Sequence, residues 1–318
     1  MADKTMTRRR LGQYFGMATG MTLLGSEAAA AKYPDHVMNF IIPFGPGGDF
    51  DSYGREFAML LQEQLMVNVE PVNLEGAGGD EAIFQLYRYP PDGYNISLIS
   101  VPGALSTRQM AGSEALQLTW LANLARDPLG IAVAAHSPIK TMADLRKLAK
   151  TRPLKLPSTG KSATMYFANE VLSKALDMPV REITGFDGSI SSMMSAVRGE
   201  VDAVVQAVSA IQELVSAGLM RLIFTFEPKS DRLGIEDATS VGVPDLGKIY
   251  QYRPVVAPPG LPPEIANLLT ECLIAAARTE NARTWAQKNK TLLYPLGQQD
   301  TLAMIRTQVE LLKKWDLT

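Results

Sequence analysis

The sequence predicts an α/β protein of two lobes, each a mainly parallel sheet flanked by helices. Three observations lead there. At 318 residues the chain is long for one domain and comfortable for two lobes with their own cores. Short β-rich apolar runs alternate with helical patterns, the rhythm of a parallel sheet covered by helices. Two extended segments, Leu121–Ala135 and Tyr252–Ala257, are placed to pass from one lobe to the other.

Residues 1–31 stand apart from that fold. Lys4, Arg8, Arg9 and Arg10 make a positive start, Leu11 to Leu24 is moderately apolar, and Ala28 to Ala31 supplies a small-x-small cleavage pattern. The apolar stretch is 14 residues, short of the roughly 20 needed to span a bilayer, so it is expected to be a removable export signal rather than an anchor. The arginine pair and weak hydrophobicity favour the twin-arginine route, with the Sec route as the alternative. No lipobox cysteine follows the signal, so the mature protein is expected to be free and periplasmic. The single cysteine, Cys272, sits in an apolar helical run with no disulfide partner and is expected to be buried and inert.

The elements then follow in order. Val37–Pro43 reads as a buried strand. From Asp51 onward Tyr53, Phe57, Leu60, Leu61 and Leu65 recur at helical spacing and form one apolar face. Val67–Val72 is the next strand, followed by a helix from Gly79 to Tyr89. Pro90 to Gly93 makes a turn before the strand Asn95–Val101. Strands near 131–135, 180–184, 202–206 and 221–226 alternate with helices near 141–151, 162–177, 188–199 and 208–217. The tail from Pro262 to Trp315 reads as almost wholly helical. One lobe is expected to hold residues 32–131 and 255–318, and the other 132–254.

Charge removes some functions. The formal net charge is -2, which supplies no basic field for nucleic acid or anionic lipid. Without residues 1–31, which hold four basic and two acidic side chains, 27 basic face 31 acidic residues, a net of -4.

The informative residues sit where strand gives way to helix. Phe44-Gly45-Pro46-Gly47-Gly48-Asp49-Phe50-Asp51 follows the first strand, and Asn73-Leu74-Glu75-Gly76-Ala77-Gly78-Gly79-Asp80 the second. Glycine admits positive φ and close approach of a ligand, and the unpaired N–H groups of a helix's first turn favour an anion. Two such loops at the carboxyl edge of neighbouring parallel strands make a cradle for one carboxylate; singly, each is an ordinary helix-starting turn.

Enzyme readings fail on spacing. A dinucleotide fingerprint from Gly45 meets Phe50 where glycine is needed, and one from Gly76 meets Glu81. Gly160-Lys161-Ser162 resembles the end of a phosphate-binding loop, but Lys155 stands where its first glycine belongs. No G-x-S-x-G occurs, and the two histidines, His36 and His136, lie one hundred residues apart. No cofactor, metal or catalytic residue is expected.

These residues carry a resemblance. Tyr33-Pro34, Pro43-Phe44-x-Pro46-Gly47-Gly48-x-x-Asp51-x-x-x-Arg55, Asn73-x-x-Gly76-Ala77-Gly78-Gly79 and Pro91-Asp92-Gly93-Tyr94 resemble the substrate-binding subunits of tripartite tricarboxylate transporters, the Bug receptors. Ser158-Thr159-Gly160, Gly185-Phe186-x-Gly188-Ser189, Arg198 to Asp202, Ala217 to Arg221 and Ala257 to Gly260 extend it through most of the chain. The resemblance implies a periplasmic-binding-protein fold that closes on its ligand, with no enzymatic activity. It implies a ligand carboxylate held by backbone amides of Gly47–Asp49 and Ala77–Asp80, and a far end read by Ser158 to Thr164 and Phe186 to Ser189. Ser158, Thr159, Ser162 and Thr164 form a hydroxyl-rich helix start, suited to a second polar group or to ordinary N-capping.

Asp49 and Glu75 depart from the common pattern of the family. Either both point to solvent, or they repel a second carboxylate and favour a ligand with an amine or hydroxyl near its acid. Phe44, Phe50, Tyr252 and Phe186 are candidates for an aromatic wall, with helical Tyr53 assigned to the core. Arg253 is either a bidentate partner for a carboxylate or a surface arginine. The function expected is a monomeric periplasmic receptor for a small organic carboxylate, serving separate membrane permease subunits. A sensing module for a membrane kinase, and more remotely an exported hydrolase or isomerase, are the alternatives.

Overall fold

The structure is a computed structural model that describes residues 33–105, 117–232 and 234–316. The expected export signal lies outside the described residues. Strand β1 (Met38–Ile42) is buried on both faces, as a central parallel strand must be. It pairs in parallel with β2 (Val69–Asn73) on one side and with β3 (Asn95–Leu98) on the other. Helix α1 (Asp49–Leu65) crosses from β1 to β2, with Phe50, Tyr53, Phe57, Leu60 and Leu61 on its buried face. Helix α2 (Asp80–Leu86) crosses from β2 to β3 and buries Ala82, Ile83 and Leu86.

Strand β4 (Thr119–Ala134) is the spine of the molecule. Through Pro128 it pairs antiparallel with β9 (Tyr250–Ala257) and, at Asn123 to Arg126, with β10 (Leu292–Leu296). From Leu129 onward it pairs antiparallel with β7 (Val204–Ala207) and β8 (Met220–Thr225). Strand β9 closes the first sheet against β3, giving the order β10-β4-β9-β3-β1-β2. Beyond the handover, β5 (Leu154–Pro157) and β6 (Val180–Ile183) pair in parallel. Helices α3 (Met142–Ala149), α4 (Thr164–Leu176), α5 (Ser189–Val197) and α6 (Val208–Ser216) cover this second lobe. Thr141 and Asp144 close a reciprocal capping box at the start of α3.

The tail differs from its expected all-helical form. Helices α7 (Pro263–Ala277), α8 (Glu280–Lys288) and α9 (Gln298–Lys314) are interrupted by β10, which completes the first sheet at its edge. Leu292-Leu293-Tyr294-Pro295-Leu296 is too short and uniformly apolar for periodicity to mark, and an edge position is where a strand tolerates proline. Cys272 is half-buried rather than fully buried, and burial raises its thiol pKa. Among the described residues, no helix is long and apolar enough to cross a membrane.

Candidate functional site

The two glycine loops are built differently. In the first, Gly47 at φ +84 turns the chain so that Gly48 can lead into α1. Asp51 in the first turn accepts from Gly47 N at 2.9 Å and from Arg55 Nε at 3.0 Å. Asn73 at the end of β2 donates to Asp51 and to the Phe44 carbonyl, both at 2.9 Å. Burial works against the Asp51 charge, but the donors Arg55, Gly47 and Asn73 outweigh it and hold its pKa low. The Asp51, Arg55 and Asn73 side chains therefore lock the first loop to the second. In that second loop four consecutive residues, Gly76 to Gly79, have positive φ, Ala77 among them.

Both loops meet the second lobe directly. Gly45 N donates to the Asp187 carbonyl and Asp49 N to Ser189 Oγ, each at 3.0 Å. A Cβ on Gly78 would come within 2.9 Å of Ala163 N, and one on Gly160 within 2.6 Å of Gly78 N. The space that the missing side chains leave is thus filled by backbone of the opposite lobe. Thr164 Oγ1 lies 2.9 Å from Ser100 Oγ and accepts from Gly103 N at 3.2 Å. Helix α4 starts at Thr164 after Ala163, two residues beyond the expected start near 162, and none of the four hydroxyls caps it.

Between the lobes these contacts leave a cavity of about 20 Å³, room for a single water. Phe44, Asp49, Thr159, Thr164 and Ser189 from the sequence-based set line it. Phe50, one of the aromatic candidates, lines it too, and Ser100, Ala163, Met165, Gln206 and Gln251 complete the wall. Phe44 and Phe50 pack edge to face at 4.8 Å. The Thr159 hydroxyl is buried with no hydrogen-bond partner, while the buried hydroxyls of Ser158 and Ser162 lie beside the Glu182 and Asp80 carboxyls. A second pocket, about 160 Å³, opens on the far side of Asp49 and Ser189 and is lined by Gly47, Gly48, Tyr53 and Trp285. Asp80, beside Ser162, has its pKa raised by burial, with the Ser162 hydroxyl pulling the other way.

The acidic pair does not behave as a pair. Asp49 makes an ion pair at 2.7 Å with Arg253 Nη2, while Glu75 is exposed and off the cavity wall. Arg253 is neither a surface residue nor open to a ligand: it is 0% exposed and also pairs with Asp127 at 2.5 Å. Asp127 further accepts from the hydroxyls of Tyr53 at 3.1 Å and Thr291 at 3.0 Å. The guanidinium lies 4.0 Å from the Tyr53 ring centroid. Burial disfavours the Arg253 charge, yet the oxygens of Tyr53, Asp127 and Asp49 hold its pKa above the ordinary value. Tyr252 is not part of an aromatic wall; it packs in the core 6.0 Å from Tyr250. Phe186 is half-buried and also off the wall, and Gly188 serves as the residue before α5.

Some wall residues escaped sequence reasoning although a signal existed. On the wall Gln206 interrupts the apolar run Ala203 to Ala207, and beneath it Asp127 stands next to Arg126 in the crossing segment. Behind Ser158, burial pushes the Glu182 carboxyl up to about 8; Asn169 and Ser158 stand beside it, but neither of its oxygens has a well-formed hydrogen bond. A surface groove of about 510 Å³ lies elsewhere on the second lobe, between Pro138, Leu148 and Val201. Its acids are already engaged, Asp202 by Arg152 and Asp144 by the α3 cap. Among the described residues no group of three His, Cys, Asp or Glu side chains is arranged to hold a metal.

Comparison with known proteins agrees with this architecture. Residues 54–316 match the tripartite tricarboxylate transporter family receptor. A UPF0065 protein from the gbd 5′ region of Cupriavidus necator is 29% identical over 276 residues, covering 84% of this chain and 82% of that protein. MatC from Rhodopseudomonas palustris, solved with bound malate, superposes with a TM-score of 0.79 at 20% identity, covering 89% of this chain and 98% of that one. An R. palustris protein solved with adipate gives 0.80 at 22% identity, covering 89% and 97%. Since the family match spans most of the chain and both lobes, the chain belongs to the tripartite tricarboxylate transporter family of receptors.

Proposed function

We propose that the cleft between the lobes takes a small organic carboxylate and that the receptor presents it to the permease subunits of a membrane transporter. The observation that carries this reading is the meeting of two glycine loops with the segment from Ser158 to Thr164 around a cavity into which Thr159 brings a buried, unpartnered hydroxyl. A buried hydroxyl without a partner costs free energy that a ligand oxygen or nitrogen recovers. Because the remaining cavity holds about one water, loading requires the lobes to part and close again. Malate and adipate in the two R. palustris proteins support a carboxylate as the ligand class. In this reading the lobes are residues 32–131 with 255–318, and 132–254. The passage of β4 from β9 and β10 to β7 and β8 at Pro128–Leu129, and the pairing of β9 with the first stretch of β4 from Tyr250 onward, support bounds a few residues earlier, near 128 and 250. Residues 1–31 act as an export signal, by the twin-arginine route, and the mature receptor works as a periplasmic monomer.

Thermal unfolding against a panel of mono-, di- and tricarboxylates tests the reading. A ligand at 100 times its dissociation constant adds about 2.7 kcal/mol to stability. Gly78→Val forces a β-branched residue into φ +77 and against Ala163, so the lobes cannot close and ligand-induced stabilisation should vanish. If no carboxylate stabilises the parent, or if Gly78→Val responds as the parent does, the cleft is not the site.

A further inference from the structure

The charge cluster beneath the cavity does not balance. One buried cation, Arg253, stands between two carboxylates, Asp49 and Asp127. Asp127 is the well-supplied member, accepting from Arg253, Tyr53 and Thr291. Asp49 receives only Arg253 Nη2, on Oδ2, and its Oδ1 accepts no hydrogen bond. The surplus negative charge therefore lies on the carboxylate of Asp49, a side chain that is 11% exposed and lines both the cavity between the lobes and the second pocket. At so little exposure such a charge attracts a cation, and repels a second anion, more strongly than it would in open water. The same cavity holds the Thr159 hydroxyl, 8% exposed and without a partner, which can donate to a carboxylate. In the closed form three N–H groups of the first loop, those of Gly45, Gly47 and Asp49, are already engaged.

We infer that the ligand of this receptor is a zwitterion, a carboxylate bearing a protonated amine, and that Asp49 is the specificity-determining residue that receives the ammonium group. The ligand carboxylate stands away from Asp49, where Thr159 donates to it. This rests on the reading of the cleft as a carboxylate site. A ligand without the cation leaves the Asp49 charge uncompensated and adds its own beside it. The inference thus separates acids that differ only in one amine.

Isothermal titration of the mature protein with two matched pairs tests it: succinate against 2-aminosuccinate, and glutarate against 2-aminoglutarate. The amino member of at least one pair should bind tenfold or more tightly than its plain partner. Asp49→Asn keeps the shape and removes the charge, and should bring that ratio to one or below while the plain diacid binds as well or better. A ratio near one in the parent, or a ratio that survives Asp49→Asn, overturns the inference and leaves the receptor reading standing. Binding of neither pair, nor of any acid in the carboxylate panel, overturns the receptor reading and this inference with it. The ratio in the parent needs no variant, so it decides the matter even if Asp49→Asn does not fold.

Discussion

Two buried acidic sites, one in each lobe, have opposite fates. In the first lobe Asp127 is 1% exposed, and Arg253, Tyr53 and Thr291 all reach it. In the second, Glu182 is removed from water with no cation beside it, and burial drives its pKa to about 8. Burial alone does not decide the state of a carboxyl; the supply of donors does. The first site ties β4, β9, α1 and the segment before β10 together through one guanidinium. The second holds a neutral acid behind the Ser158 hydroxyl, so the two lobes bring different electrostatics to the cleft they share.

The comparison breaks most easily at Arg253. Arg253→Met leaves two buried carboxylates without their cation and should cost about 3–5 kcal/mol, read from urea unfolding. Adding Asp49→Asn and Asp127→Asn to the same chain should recover much of that loss. If the single variant costs less than about 1 kcal/mol, the charge network is not what joins these elements. The second site gives a pH signature of opposite character. The folded pKa of Glu182 lies above its ordinary 4.5, so its contribution to stability is complete below pH 4.5 and is lost as pH rises through about 8. Across that window it contributes a slope of at most roughly −1.4 kcal/mol per pH unit, which Glu182→Gln should remove. Identical pH profiles for parent and variant would show that the acid is solvated. The smallest effect belongs to the surface pair Arg152–Asp202, 2.7 Å apart but with the arginine side chain 43% exposed. Arg152→Ala should cost less than about 1 kcal/mol and less still in high salt, the benchmark against which the buried sites are judged.

Most of the fold was legible from local pattern. The parallel β1–β2–β3 unit, the apolar face of α1 and the two glycine loops follow from alternating runs and helical spacing, which depend only on near neighbours. Strand β10 was not legible, because five apolar residues acquire a conformation only from the edge they pair with. The candidate site divides in the same way. Phe44, Asp49, Thr159, Thr164 and Ser189 were identified from turn chemistry, and the structure brings them to one cavity. Glu75, Phe186, Tyr252 and Arg253 were assigned by position near a loop, and the structure keeps them off its wall.

The sequence by itself determined the two-lobed α/β class, the loops that face the cleft and the family to which the chain belongs, because each is written in contiguous motifs. Only the tertiary structure decided what those loops touch. Gly78 meets Gly160, Asp49 meets Arg253, and Arg253 meets Asp127, across separations of 82, 204 and 126 residues. The charge of a buried side chain depends on such distant partners. The partner of Asp49 was therefore decided only when the chain had closed around Arg253.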